Sequence, residues 1–406
     1  MHKRLLEINS RALYVPCGCH SLNLVISDVA TSCVRAVSFF GVLQRIYSLF
    51  SSSPERWKIL KDNVSNLTVK SLSQARWESY IESVQAIRFQ AQKIQDALFE
   101  LAESSNDPKI KSEAKCLAMN ELENFDFLLG MTIWYDILFA VNSVSKSFQS
   151  EDMHIDVAMD QLKDLLSFFE TYKEKGFQSA IVSAKELANE MEVEPIFREK
   201  HVIRRKKQFD ENVDDDKTQS AEESFRIDYF IYMIDQVISS LRSRFEQFGI
   251  YEKKFGFLCN FKKLKSMDED VLKEYCLNLE NVLEYDGLSD IDGLDLFLEL
   301  RVLRETFQEE KNSPMEILHY IKRVDNFPNA YIAYRILFTI PVSVASAKRS
   351  FSKLKLIKSY LRSTISLERL NGLAILSIEH DLLDRLDYED LINNFVSQNL
   401  RKNDFT

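Results

Sequence analysis

Pro341-Val-Ser-Val-Ala-Ser-Ala-Lys348-Arg-Ser-Phe351-Ser-Lys-Leu-Lys355 continues into Leu-Ile357-Lys-Ser-Tyr-Leu361. Phe351, Leu354, Ile357 and Leu361 recur three and four residues apart, the spacing that lines one face of an α-helix, so a helix over about 345–361 is expected. Its remaining surface is basic. From Val342 to Ser366 stand Lys348, Arg349, Lys353, Lys355, Lys358 and Arg362, with no acidic residue. Two readings of these cations stay open: they are the solvated side of a core helix, or they hold nucleic-acid phosphate. Lys348 carries a chemical consequence on either reading. A lysine ammonium has three donors and no lone pair, so it cannot ligate a metal ion.

Toward the C-terminus, Ser366-Leu-Glu-Arg-Leu-Asn-Gly-Leu-Ala-Ile-Leu-Ser-Ile-Glu379 sets Leu367, Leu370, Leu373, Ala374, Leu376 and Ile378 around more than one face. Such a helix must be covered on several sides, by the protein's own core or by a second chain. Leu370, Leu373 and Leu376 are the candidates for that cover, with Phe351, Leu354 and Leu367 beside them. Helices are expected at about 366–384 and 388–400. Ser313-Pro314, Phe327-Pro328 and Ile340-Pro341 punctuate this last unit, which begins near 313.

Toward the N-terminus, amphipathic segments at roughly 78–104, 108–149, 155–174, 177–192, 268–283 and 293–309 read as bundle helices. Helical spacing also joins Phe230, Ile234, Val237, Leu241, Phe245 and Phe248. Between about 194 and 222 the periodicity fails. There Arg204-Arg-Lys-Lys207, with Arg198 and Lys200 nearby, precedes Asp214-Asp-Asp216, a pattern that fits an exposed charged loop and also a nuclear-import cluster. Leu22, Val25, Ile26, Val29, Cys33, Val37, Phe40, Leu43, Tyr47 and Phe50 define one apolar helix that Ser51-Ser-Ser-Pro54 ends. Arg11-Ala-Leu-Tyr-Val-Pro16 reads as a short buried strand leading to the turn at Cys17-Gly-Cys-His20.

Composition supports a mainly helical globular protein. The 406 residues are 45% hydrophobic and include 28 Phe and 15 Tyr, which argues against disorder, while 9 Gly and 7 Pro leave few breaks for a turn-rich β fold. A formal charge of −10 opposes wholesale nucleic-acid binding, so any DNA contact must be local. No apolar run of about 18 residues is expected, Met1-His2-Lys3-Arg4 leads into a polar segment and not a signal-peptide core, and no membrane partner is expected. The six cysteines fit reduced thiols better than a disulfide framework. Cys17, Cys19, His20 and Cys33 carry zinc-type donors, but Cys33 has no companion two to four residues away, so the bland reading as a helix entrance is preferred.

Three landmarks carry a resemblance. Residues 341–355, Cys17-Gly-Cys-His20-Ser-Leu-Asn-Leu24 and Ala75-Arg76-Trp77-Glu78-Ser79 resemble the signatures of hAT-superfamily (hobo/Activator) transposases, most closely the plant zinc-finger MYM-type and TTF-type branch. The resemblance implies an RNase H-like α/β core interrupted by a large helical insertion and followed by a helical dimerisation region. It places a partial core at 1–80, the insertion at 81–312 with its charged loop at 194–222, and the dimerisation region at 313–406. It also implies that Lys348 occupies the position of the glutamate that completes the family's Asp-Asp-Glu metal triad. Both aspartates belong to strands upstream of Cys17 and His20, and the sixteen residues before Cys17 hold none, so N-terminal truncation is expected to have removed them. The Mg²⁺/Mn²⁺ site is then not retained, and no cofactor is expected.

The reading that follows is a catalytically inactive nuclear protein that dimerises with itself or with a related hAT protein. Its rival is a DNA-binding regulator using the 348–362 face together with Arg76 and Trp77, where the indole stacks on a base and the guanidinium grips phosphate; the ordinary alternative for Trp77 is the core. A metal-dependent nuclease requires substitute carboxylates near Lys348, with Asp28 and Glu78 as the nameable candidates.

Overall fold

The structure, a computed structural model, describes residues 4, 7–9, 11, 13–64, 68–72, 77–150, 153–197, 220–307, 313–359, 364–383 and 387–400, without the side chains of 345–349, 381 and 398–400. It divides into two units, Met1–Ser343 and Val344–Thr406. The expectation of a mainly α protein holds. Among the described residues the strands are β1 (Glu284–Tyr285) and β2 (Leu288–Ser289), an antiparallel pair whose turn places Asp286 and Gly287 at positive φ. The described residues contain no larger sheet.

The first unit opens with α1 (Gly18–Ala30) and α2 (Val34–Ser51), where a single helix was expected. The chain bends by 106° between them. The hydroxyls of Thr31 and Ser32 donate to the carbonyls of Ser27 and Val29 at 2.9 and 2.7 Å, satisfying acceptors that continuation of the helix would have used. Both helices bury apolar faces in the same core, so the apolar spacing runs across the bend and hides it. Val37, placed on the core face by that spacing, is 54% exposed. Of the strand expected over 11–16, residues 11 and 13–16 are described and form none. The Tyr14 N–H donates to the Tyr251 hydroxyl at 2.9 Å, and that hydroxyl donates to the Tyr14 carbonyl at 3.1 Å, so a side chain stands where a neighbouring strand would be.

Next come α3 (Pro54–Asn63), α4 (Glu78–Ser104) and α5 (Pro108–Lys115). A π-helical stretch, Cys116–Leu122, follows α5 and ends it; Asn124 then caps α6 (Phe125–Ser147) by accepting the Asp126 N–H. The expected helix over 108–149 is therefore two. The opposite correction applies to α7 (Ile155–Glu190), one helix where two were expected. The gap between the two expected segments holds Gly176, a packing position: a Cβ there would lie 2.4 Å from the Tyr172 ring, which fills the space a side chain would need. The rest of the unit comprises α8 (Ala221–Phe225), a π-helical turn at Arg226–Ile231, α9 (Tyr232–Cys259), α10 (Phe261–Ser266), α11 (Glu269–Val282), α12 (Gly293–Thr306), α13 (Pro314–Val324) and α14 (Pro328–Leu337). The start of α13 is a capping box, with Ser313 and Glu316 each accepting the other's backbone N–H.

The core centres on α6, which packs against α1, α2, α4 and α7. Trp134 of α6 is fully buried, lies 4.5 Å from the Phe40 ring, and donates its Nε1–H to the Tyr229 hydroxyl at 2.9 Å. By length and composition α6 is apolar enough to cross a membrane, which corrects the reading that no such run exists; 61% of its apolar window is buried in this protein.

The second unit consists of α15 (Ala345–Ile357), α16 (Leu367–Ile378), α17 (His380–Leu383) and α18 (Glu389–Leu400), with α15 packed on α16. α18 meets the expectation of a helix over about 388–400, whereas α15 ends at 357, short of the expected 361, and the helix expected over 366–384 breaks at 379.

Candidate self-association surface

In the second unit, α16 starts at Ser366, whose hydroxyl accepts the Arg369 N–H. Its other end is closed by Lys353 of α15, whose Nζ donates to the carbonyls of Ser377 and Ile378 at 2.8 and 3.5 Å. A cation at the carbonyl end of a helix satisfies orphan acceptors and complements the helix dipole. One of the six basic candidates is thus engaged in holding two helices together. Lys355 and Lys358 are exposed. The side chains of Lys348 and Arg349, and the whole of Arg362, lie outside the described residues.

The apolar candidates divide sharply. Leu370 is buried at 8% exposure, and Leu354 and Leu373 are half-buried, in two helices that pack on each other. Phe351, Leu367 and Leu376 are 70, 73 and 47% exposed. Leu356 and Ile375 are also exposed, as are Leu391, Ile392, Phe395 and Val396 along one side of α18. Single exposed apolar residues are ordinary, whereas this concentration in a few short helices is the composition of an interaction surface.

The other landmarks lie in the first unit. Cys17 is the residue before α1, and the Gly18 N–H donates to the Val342 carbonyl at 2.8 Å, so the start of the 341–355 motif is tied to the Cys17–His20 turn. A Cβ on Gly18 would meet that carbonyl at 2.9 Å and the Phe148 ring at 2.7 Å. The Cys19 thiol donates to the Ser145 carbonyl at 3.5 Å. Its hydrogen bond with Cys17 and its burial both push its pKa well up, which keeps it a protonated thiol and a poor metal ligand or nucleophile. His20 points to solvent, and Cys33 precedes α2 on the far side of the bend. Among the described residues no three His, Cys, Asp or Glu side chains converge as a metal site would require.

Trp77 is 7% exposed, with the Tyr80 and Phe40 ring centroids 3.7 and 6.0 Å away. As folded, its faces are covered and cannot stack on a base. Arg76 lies outside the described residues. Asp28, a candidate substitute carboxylate, is held by Arg244 through contacts of 2.6 to 3.0 Å and by the Ser240 hydroxyl at 2.6 Å; Glu78 is exposed in the first turn of α4. The basic run Arg204–Lys207, with Arg198, Lys200 and Asp214–Asp216, lies outside the described residues.

Sequence reasoning missed a further apolar stripe, on α12. Leu294, Leu298 and Val302, four residues apart, are 50, 51 and 51% exposed, while Leu296, Leu300 and Leu303 of the same helix are buried. The signal was the one applied to 366–379: apolar residues on more than one face.

Comparison with known proteins bears on both units. Residues 294–382 match the hAT family C-terminal dimerisation region, a segment that begins at the exposed stripe of α12 and includes α15 and α16. Over 95% of its length the chain is 22% identical to the human protein named 52 kDa repressor of the inhibitor of the protein kinase, and it is equally similar to the mouse protein of that name. The chain spans about half the length of these relatives, 51 and 52%. Neither match supports the plant MYM-type affinity expected from the motifs.

Proposed function

We propose that this chain is a hAT-transposase-derived nuclear protein whose retained activity is self-association, with no strand-transfer chemistry of its own. The observation that carries the reading is the exposed apolar surface within 294–382, where Phe351, Leu367, Ile375 and Leu376 stand largely uncovered in the segment that resembles a dimerisation region. Burial of such side chains against a second chain is favourable by about 25 cal/mol per Å² of apolar area. Lys348 supports the non-catalytic half of the reading, because the position that the family fills with a carboxylate holds a group without lone pairs. Nuclear placement rests on the Arg204–Lys207 run and on similarity to proteins named as repressors.

Light scattering after size exclusion, over a tenfold concentration range, tests the association. A mass near twice that of the chain supports it; a monomer throughout refutes it. Metal-dependent cleavage of hairpin DNA by Mn²⁺-loaded protein, abolished by EDTA and absent from a mock purification, would refute the non-catalytic reading.

The DNA-binding alternative retains Lys355 and Lys358 as exposed basic side chains among those described. Retention on duplex DNA that falls steeply with salt would favour it.

A further inference from the structure

The C-terminal part of α12 borders two clefts, each of about 390 Å³, that share Val302 and Thr306. One is apolar, lined by Leu298, Val302, Tyr320, Val324 and Phe327. The other is charged, lined by Lys265, Arg301, Arg304, Glu269 and Glu305. Arg304 is the unusual member. It is only 6% exposed, and among the described residues neither its Nε nor its Nη2 has a hydrogen-bond partner. The nearest ion pair in the cleft is Arg301 with Glu269, at a distant 4.0 Å. A buried guanidinium with unanswered N–H groups is costly, and the cost is relieved by an oxyanion that accepts its planar fork of donors.

Charge and shape narrow the occupant. Among the lining residues three cations stand with two carboxylates, and Asp268 also acts on Arg304, so a singly charged carboxylate suits the cleft better than a doubly charged phosphate. The apolar cleft alongside asks for a hydrophobic body next to that carboxylate, as an acidic amphipathic protein segment provides. The Leu294, Leu298 and Val302 stripe continues the same surface, and it lies inside the segment that matches a dimerisation region. The chain itself is acidic and rich in exposed apolar helix faces.

We propose that the α12 surface, with Arg304 at its centre, is a docking site for a second copy of this chain, which delivers a carboxylate to Arg304 and an apolar side chain to the cleft beside Val302. The proposal rests on the self-association reading and adds to it an interface on the first unit that the C-terminal helices do not include.

The test uses the full chain, with sedimentation equilibrium and thermal unfolding run on the wild type and on Arg304→Met, Leu298→Glu, Phe351→Ser and the double variant Glu309→Gln/Glu310→Gln. Arg304→Met removes an unanswered charge from the monomer, so its melting temperature at a dilution where wild type is monomeric is expected to be unchanged or raised, while its dissociation constant rises tenfold or more. Leu298→Glu acts from an exposed position and is expected to weaken association similarly without unfolding. Amide exchange over 293–306 is expected to slow as the wild type is concentrated from monomer to dimer.

Wild-type association in both Arg304→Met and Leu298→Glu overturns the proposal, and if Phe351→Ser is weakened under the same conditions the self-association reading survives without it. An equal loss of melting temperature in Arg304→Met and in the Glu309/Glu310 double variant also overturns it, since the chain would then answer Arg304 with its own carboxylates. A wild type that stays monomeric removes both.

Discussion

Replacement of Phe351 by serine separates an interface from a core. The ring is 70% exposed on α15, whereas Leu370 on the facing helix α16 is 8% exposed. Full burial of such a side chain contributes about 1.5–3 kcal/mol, so covering the exposed 70% of Phe351 against a partner is worth about 1–2 kcal/mol. Its loss is expected to raise the dissociation constant about 5–30-fold. The fold should be untouched, because little of the ring is packed within its own chain. Leu370→Ser is expected to behave in the opposite way: removal of a packed leucine costs about 2–5 kcal/mol of folding stability, which melts the α15–α16 pair. Sedimentation over a concentration series reads the first effect, and amide exchange across 367–378 reads the second. If Phe351→Ser associates as wild type does, and Leu376→Ser does too, the exposed apolar faces of the second unit are not an interface, and the argument from exposure fails.

Two further expectations concern the first unit. Gly18→Ala pushes a methyl into the Val342 carbonyl and the Phe148 ring, a crowding that costs about 1–3 kcal/mol; calorimetry should show a melting temperature lower by several degrees, and an unchanged value would mean that the contact yields easily. Asp136 receives the Tyr172 hydroxyl at 2.9 Å and Arg88 at 3.4 Å, yet burial outweighs both and raises its pKa. A carboxyl whose folded pKa is raised adds stability fully present below its unfolded value of about 3.9 and lost as pH rises through the folded one. Asp136→Asn cannot ionise, so its melting temperature is expected to gain on the wild type as pH climbs from about 4 toward neutrality, and a difference independent of pH would refute the assignment.

Helix content was legible in the sequence because 3.6-residue periodicity is a local property, and several boundaries were legible because their caps are. Asp268 before Glu269-Asp270 announces α11, while Ser313-Pro314, read only as the opening of the last unit, begins the capping box of α13. Other boundaries depended on tertiary facts. The segments expected at 155–174 and 177–192 are one helix, and Gly176 between them makes room for Tyr172; the bend at Thr31–Cys33 left no mark on the apolar spacing because both arms face one core. The Tyr14 segment carries strand-type residues, yet its backbone partner is the hydroxyl of a tyrosine more than two hundred positions away. No local rule foresees that.

The candidate site shows the same division. Apolar excess at 366–379 announced that something covers those helices, but which leucines face inward is decided by the crossing of α15 and α16, and that separated Leu370 from Leu367 and Leu376. Lys353 read as part of a basic face because sequence shows charge and not geometry; the structure brings its ammonium to the end of α16, where it answers two carbonyls. On α12, one set of leucines satisfies the core while Leu294, Leu298 and Val302 remain outside, beside an arginine whose Nε and Nη2 find no partner among the described residues. A helix with apolar residues left over after its core face is filled, and a buried cation left over after its own chain is folded, have the same physical resolution: contact with a surface that supplies apolar cover and one negative charge.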